Sequence, residues 1–123
     1  MAKVCIVDDS RAASDMMTTI LMAGHHSVKA YNESVGVEAS IAQDRPDLIL
    51  LDVVMPERNG YEVLRALKRQ GSTKAVPVIL VTSKGEETDV RWGLRQGAAA
   101  YVTKPFSESS LLEAITEQLA APT

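Results

Sequence analysis

Residues 47–52 read Asp47-Leu48-Ile49-Leu50-Leu51-Asp52, four aliphatic side chains in a row between two carboxylates. Successive strand residues point to opposite faces, so a short run that is apolar throughout marks a strand covered on both sides. The same signature recurs in Lys3-Val4-Cys5-Ile6-Val7 and in Val76-Pro77-Val78-Ile79-Leu80-Val81. Two weaker blocks, Ser27 to Tyr31 and Ala99 to Thr103, alternate more and belong nearer the sheet edges.

Between these blocks the apolar residues recur at helical spacing. Ser10 is placed to cap a helix carrying Ala13, Met16, Met17, Ile20 and Leu21, with Gly24 as its stop. Residues 34–43 form a weaker helix closed by Pro46, and Tyr61, Leu64 and Leu67 form a stripe ending near Gly71. Val90 and Leu94 mark a helix over about 86–96, ending at Gly97, and Ser107 caps a last helix with Leu111, Leu112, Ile115 and Leu119. The order is strand then helix, five times. It predicts an α/β fold: a five-stranded, doubly wound parallel sheet between two helix layers, a three-layer sandwich built by right-handed crossovers. No linker or repeat interrupts it, so residues 1–123 are expected to be one domain without an output domain.

Composition narrows the function. The 123 residues carry 13 Lys plus Arg against 16 Asp plus Glu, a net charge of −3, which gives no basic surface for gripping nucleic acid. Cys5 is the single cysteine, which excludes an internal disulfide and a Cys-rich zinc site. The longest apolar run, Ala75 to Val81, is broken by Pro77 and falls far short of the roughly 20 residues of a spanning helix. The N-terminus reaches Asp8 too soon for a signal peptide. A cytoplasmic domain without membrane insertion is expected. His25 and His26 follow Gly24 and read as solvated turn residues, and Cys5 reads as a small core residue.

In an open parallel sheet, ligands bind beyond the carboxyl ends of the strands. Strand 1 ends in Asp8-Asp9, strand 3 in Asp52, strand 4 in Thr82-Ser83 and strand 5 in Thr103-Lys104-Pro105, whereas Tyr31-Asn32 at the end of strand 2 offers no comparable group. Three carboxylates drawn together repel unless a cation sits among them, and an all-oxygen ligand set suits a hard ion such as Mg²⁺. A hydroxyl and an ammonium facing that ion supply donors for a phosphoryl group, so the set is suited to phosphoryl transfer onto an aspartate.

The tracts Val7-Asp8-Asp9-Ser10, Leu51-Asp52-Val53-Val54-Met55-Pro56 with Gly60, Val81-Thr82 and Lys104-Pro105-Phe106 resemble the response-regulator receiver domain over residues 2–120. The resemblance implies the flavodoxin-like strand order 2-1-3-4-5. It makes Asp52 the acceptor of a phosphoryl group from a histidine kinase or a phosphotransfer protein. Mg²⁺, with Mn²⁺ as a substitute, would be held by Asp9, Asp52 and the backbone carbonyl of Val54, with Asp8 acting mostly through water. Thr82 would hydrogen-bond the phosphoryl oxygens and Lys104 would neutralise their charge, with a cis bond before Pro105. Tyr101 matches an aromatic switch that turns inward when Thr82 moves, and with Trp92 it is assigned to a partner surface near helix 4, strand 5 and helix 5 that binds a downstream target protein. Such a domain is a signalling switch that catalyses its own phosphorylation and dephosphorylation.

Residues 86–98, Glu86-Glu87-Thr88-Asp89 and Trp92-Gly93-Leu94-Arg95-Gln96-Gly97-Ala98 among them, are similar to stand-alone regulators of type IV pilus twitching motility. Three departures from the receiver pattern stand out: Asn32-Glu33-Ser34 after strand 2, Ser83, and Val54. Val54 cannot orient a hydrolytic water, so a long-lived acyl phosphate is expected. The haloacid-dehalogenase-like phosphatases also use an aspartyl nucleophile, but their acid two residues on is replaced here by Val54. A flavodoxin-type electron carrier would meet repulsion between Asp8-Asp9 and the FMN phosphate.

Overall fold

The computed structural model describes residues 2–120. Strands β1 (Lys3–Val7), β2 (Ser27–Tyr31), β3 (Leu48–Leu51), β4 (Val78–Thr82) and β5 (Ala100–Thr103) alternate with helices α1 (Arg11–Ala23), α2 (Val37–Asp44), α3 (Gly60–Arg69), α4 (Glu87–Arg95) and α5 (Glu108–Ala120). The sheet runs β2-β1-β3-β4-β5 with every pair parallel. Met1 and residues 121–123, included in the one-domain expectation over 1–123, lie outside the described residues.

The continuous apolar runs are explained by two cores, one on each face. Cys5, Val7, Ile49, Leu51 and Leu80 meet Val37 and Ile41 of α2 and Val63, Leu64 and Leu67 of α3. Their strand neighbours Val4, Ile6, Leu48, Leu50, Ile79 and Val81 meet Met17, Ile20 and Leu21 of α1 and Leu111 and Ile115 of α5. All four residues of β3 are sealed from solvent, as the central strand of a three-layer sandwich must be. The edge strands β2 and β5 retain exposed residues.

Helix caps follow the sequence closely. The Ser10 hydroxyl accepts from Ala13 N at 3.2 Å, and the Ser107 hydroxyl accepts from Ser110 N at 3.1 Å. Gly24 ends α1, but with an ordinary φ of −84°; the left-handed residue is His25, at φ 66°. His25 N donates to Met22 O and His26 N to Leu21 O, the paired bonds of a Schellman stop built on a histidine. His26 is also less solvated than its turn position suggests, since its Nδ1 accepts from Ala2 N at 3.2 Å.

Several boundaries and faces differ from expectation. α2 begins at Val37, because Gly36 at φ 74° turns the chain just before it. β4 begins at Val78 rather than Val76: Pro77 has no N–H for the ladder and contributes only its carbonyl, to Ile49 N. Met16 is half exposed, and the buried side of α1 carries Ser14 instead. In α3, Val63 is buried and Tyr61 only partly so. In α4 the expected Val90–Leu94 stripe fails, with Leu94 45% exposed. Gly93 is the buried residue there, because its missing side chain lets Leu80 and the Tyr101 ring close onto the helix backbone.

Candidate functional site

The carboxyl ends of β1, β3 and β4 and the turn after β5 meet above the sheet. Asp8, Asp9 and Asp52 each bring a carboxylate oxygen to within 4.8 Å of the others. Asp8 is fully buried and Asp52 nearly so, while Asp9 faces solvent. Strand pairing sets this geometry: Asp52 N donates to Val7 O at 2.9 Å and Asp8 N to Tyr31 O at 3.0 Å, holding three strand ends level.

Lys104 enters from the turn after β5. Its backbone N donates to Thr82 O at 2.8 Å, and the Lys104–Pro105 peptide is cis. Its ammonium donates to Asp8 Oδ2 at 2.6 Å and to Asp52 Oδ2 at 3.4 Å. Burial pushes the Asp8 carboxyl above the usual aspartate range, against the pull of the Lys104 and Ser10 N–H bonds and with help from the Asp52 charge. Burial works against the Lys104 charge too, but the bond it donates to Asp8 and the charges of Asp52 and Asp8 outweigh it and raise its pKa.

Thr82 ends β4, fully buried, and its Oγ1 accepts from Lys84 N across a long 3.5 Å. The Lys84 carbonyl in turn accepts from the Tyr101 hydroxyl, so Lys84 touches both side chains through its two successive peptide groups. Val54 N donates to Asp52 Oδ1 at 3.3 Å, and the Val54 side chain stands 55% exposed at the mouth of the site. Trp92 lies on α4 away from the carboxylates, half exposed, with its ring edge-on to Tyr61.

Asn32 was not expected to contribute. Its amide donates to Asp8 O at 2.8 Å and to Ser14 Oγ at 3.0 Å, bracing the backbone of the most buried acid. Its place at a strand end was the available signal. Gly60 brings α3 so close to β3 that a Cβ there would lie 2.1 Å from Asp52 O. Glu38 and Arg58 form a two-pronged ion pair at 2.6 and 3.0 Å, and Arg58 also donates to Ser34 O at 3.1 Å. That pair ties the first turn of α2 to the loop before α3, and the loops before the two helices line, with Asp9 and Asn32, a cavity of about 220 Å³.

The donor set fits a small divalent cation. One ammonium meets only two of the three carboxylates, and every ligating atom on offer is oxygen, the preference of Mg²⁺. The Thr82 hydroxyl at the end of β4 and the Lys104 ammonium beside Asp52 are the kinds of donor a phosphoryl group needs.

A parallel 2-1-3-4-5 sheet with an acidic trio and a lysine at its carboxyl edge defines a signalling receiver, and the chain belongs to that family: the response regulator receiver domain matches residues 4–116. It is 46% identical over 121 residues to Protein PilH of Pseudomonas aeruginosa, covering 98% of this chain and 99% of that protein. It is 42% identical over 110 residues to the phosphate regulon transcriptional regulatory protein PhoB of the same organism, of which it spans 48%. Among solved structures, the chemotaxis protein CheY4 of Vibrio cholerae superposes with a TM-score of 0.88 at 29% identity, covering 95% of this chain and 98% of that one. The receiver domain of the sensor histidine kinase PA1611 of Pseudomonas aeruginosa, which holds a magnesium ion in its active site cleft, shares the fold with a TM-score of 0.89 at 22% identity, over 98% of each chain. Receiver domains are signalling switches of two-component systems that bind Mg²⁺ in an acidic pocket and interact with histidine kinases and downstream targets. Among the described residues no helix is long and apolar enough to cross a membrane.

Proposed function

We propose that the chain acts as a response regulator of the PilH type, phosphorylated on Asp52 by a histidine kinase or a phosphotransfer protein. The observation that supports this best is the Lys104 ammonium reaching both Asp8 and Asp52 inside the acidic trio. An Asp52 carboxylate oxygen attacks the phosphorus of a phosphohistidine, the phosphorus–nitrogen bond breaks, and the imidazole leaves with its electron pair. Lys104 faces the incoming charge, and the Thr82 hydroxyl leaves its long contact with Lys84 N to donate to a phosphoryl oxygen. Asp9, Asp52 and the Val54 carbonyl would hold Mg²⁺, with Asp8 acting mostly through water, and Mn²⁺ would substitute. The bound ion supplies positive charge to the phosphoryl oxygens.

Loading Asp52 and moving Thr82 bias Tyr101 and the surface around α4, β5 and α5, where Trp92 is the anchor for a downstream target protein. The protein works in the cytoplasm, without nucleic acid or membrane insertion. Residues 86–98 and the full-length likeness to Protein PilH support a place among the regulators of type IV pilus twitching motility. Acetyl phosphate with Mg²⁺ should add one phosphoryl group by mass, chelation should prevent it, and Asp52→Asn should abolish it. Equal labelling of Asp52→Asn would overturn the assignment.

A further inference from the structure

Asn32, just beyond the end of β2, is no member of the acidic trio, yet it holds the stretch of chain that carries two of its acids. Its amide nitrogen has two hydrogens and two acceptors, Asp8 O at 2.8 Å and Ser14 Oγ at 3.0 Å. The Ser14 hydroxyl gives its own hydrogen to Arg11 O at 3.1 Å, which leaves a lone pair facing the amide. Ser14 is buried in the first turn of α1, a firm base from which the amide is aimed.

Asp8 is thereby fixed at four points. Its N–H donates to Tyr31 O at 3.0 Å, its carbonyl accepts from Asn32, its Oδ1 accepts from Ser10 N at 2.9 Å and its Oδ2 from Lys104 Nζ at 2.6 Å. Asp9 is exposed, so the direction of its carboxylate depends on the peptide from which it starts. That peptide joins the Asp8 carbonyl to the Asp9 N–H in one rigid plane. Holding Asp8 O therefore orients the base on which the Asp9 side chain stands. An ion binds more tightly to ligands already in place, because ordering them on binding costs free energy.

We propose that Asn32 is a positioning residue for Mg²⁺: it fixes the Asp8–Asp9 peptide and so presets the Asp9 carboxylate beside Asp52. It sets how tightly the ion binds, not whether Asp52 can accept a phosphoryl group. The proposal rests on the reading of Asp9 and Asp52 as ligands to the ion, and it needs neither the kinase nor the downstream partner.

Mg²⁺ is titrated into the full chain by calorimetry with no phosphoryl donor present, and urea unfolding is measured in EDTA. Asn32→Leu keeps much of the side-chain shape and removes both donors. It should bind Mg²⁺ roughly tenfold more weakly, the lower end of what losing a group that orients a ligand costs. Labelling by acetyl phosphate should need correspondingly more Mg²⁺ and recover when the ion is in excess. Ser14→Ala spares the Asp8 contact but frees the amide from its anchor. It should shift binding the same way by a smaller factor, and it carries the test if Asn32→Leu does not fold. A group that only braces the loop would lower stability in EDTA and leave both Mg²⁺ titrations in place. Wild-type Mg²⁺ affinity in the folded variants overturns the role of Asn32 alone. A wild type that binds no Mg²⁺ takes down this proposal together with the ligand assignment. One that binds Mg²⁺ as proposed but takes no label takes down the role of Asp52 and leaves that of Asn32 standing.

Discussion

The Lys104 ammonium lies closer to Asp8, at 2.6 Å, than to Asp52, at 3.4 Å. Asp8 is fully buried, so this contact is what compensates its charge, while the longer one leaves the other carboxylate more lightly held. Removing the ammonium should therefore act first on stability. Lys104→Met should cost about 3 kcal/mol in urea unfolding, because it strands a buried carboxylate. Adding Asp8→Asn to it should recover most of that loss. A double variant no more stable than Lys104→Met would show that the pair is not the stabilising unit.

Val54 places an exposed isopropyl group beside Asp52 and offers a hydrolytic water no hydrogen bond. Val54→Asn supplies a carboxamide at that place. The phosphorylated variant should lose its label several-fold faster than the wild type, less than the roughly 10²-fold of a proton-transferring group because an amide only orients the water. The check is the decay of the phosphorylated protein after acetyl phosphate is removed. Equal decay rates would contradict it.

His25 carries the left-handed turn at the end of α1, at φ 66°. Glycine takes that conformation without the strain that a Cβ brings. His25→Gly should raise stability by about 0.5–1 kcal/mol by relieving the left-handed strain, and Gly24→Ala, one residue earlier at an ordinary φ, should raise it as well by restricting the unfolded chain. Thermal or urea unfolding of the two variants gives the comparison.

Glu38 and Arg58 are three-quarters buried or more, and the Arg58 bond holds the Glu38 carboxyl below the usual glutamate range. The folded state therefore binds this proton less readily than the unfolded chain does. The pair's contribution is fully present above the unfolded glutamate value, about 4.3, and is lost as the pH falls through the lower folded value. Arg58→Met should cost about 1 kcal/mol at pH 7, and the gap to wild type should close in acid. A gap that persists unchanged to pH 3 would assign the effect to the Ser34 carbonyl bond instead.

Strand ends were the most legible part of this molecule. Asp8, Asp9, Asp52, Thr82 and Lys104 follow from knowing where four of the five apolar runs stop, and they converge as the parallel register requires. Asn32 stops a run as well, but its amide works on the Asp8 backbone, a contact that depends on how the β2–α2 loop folds back. The faces of α4 were harder to read. Val90 and Leu94 have the spacing of a buried stripe, yet the helix turns Gly93 inward, because a position without a side chain can sit directly on Leu80 and Tyr101.

The one-dimensional pattern was enough for the alternation of strands and helices, the burial of β3 on both faces and the acids at the sheet's carboxyl edge. These depend on local periodicity and on the period-two pleat, both properties of neighbours along the chain. Which oxygen Lys104 prefers and which side of α4 faces the core were decided only by the assembled structure. Those outcomes depend on distances of a few tenths of an ångström between residues as far apart in the chain as Asp8 and Lys104. Packing sets such distances only once every layer is in place.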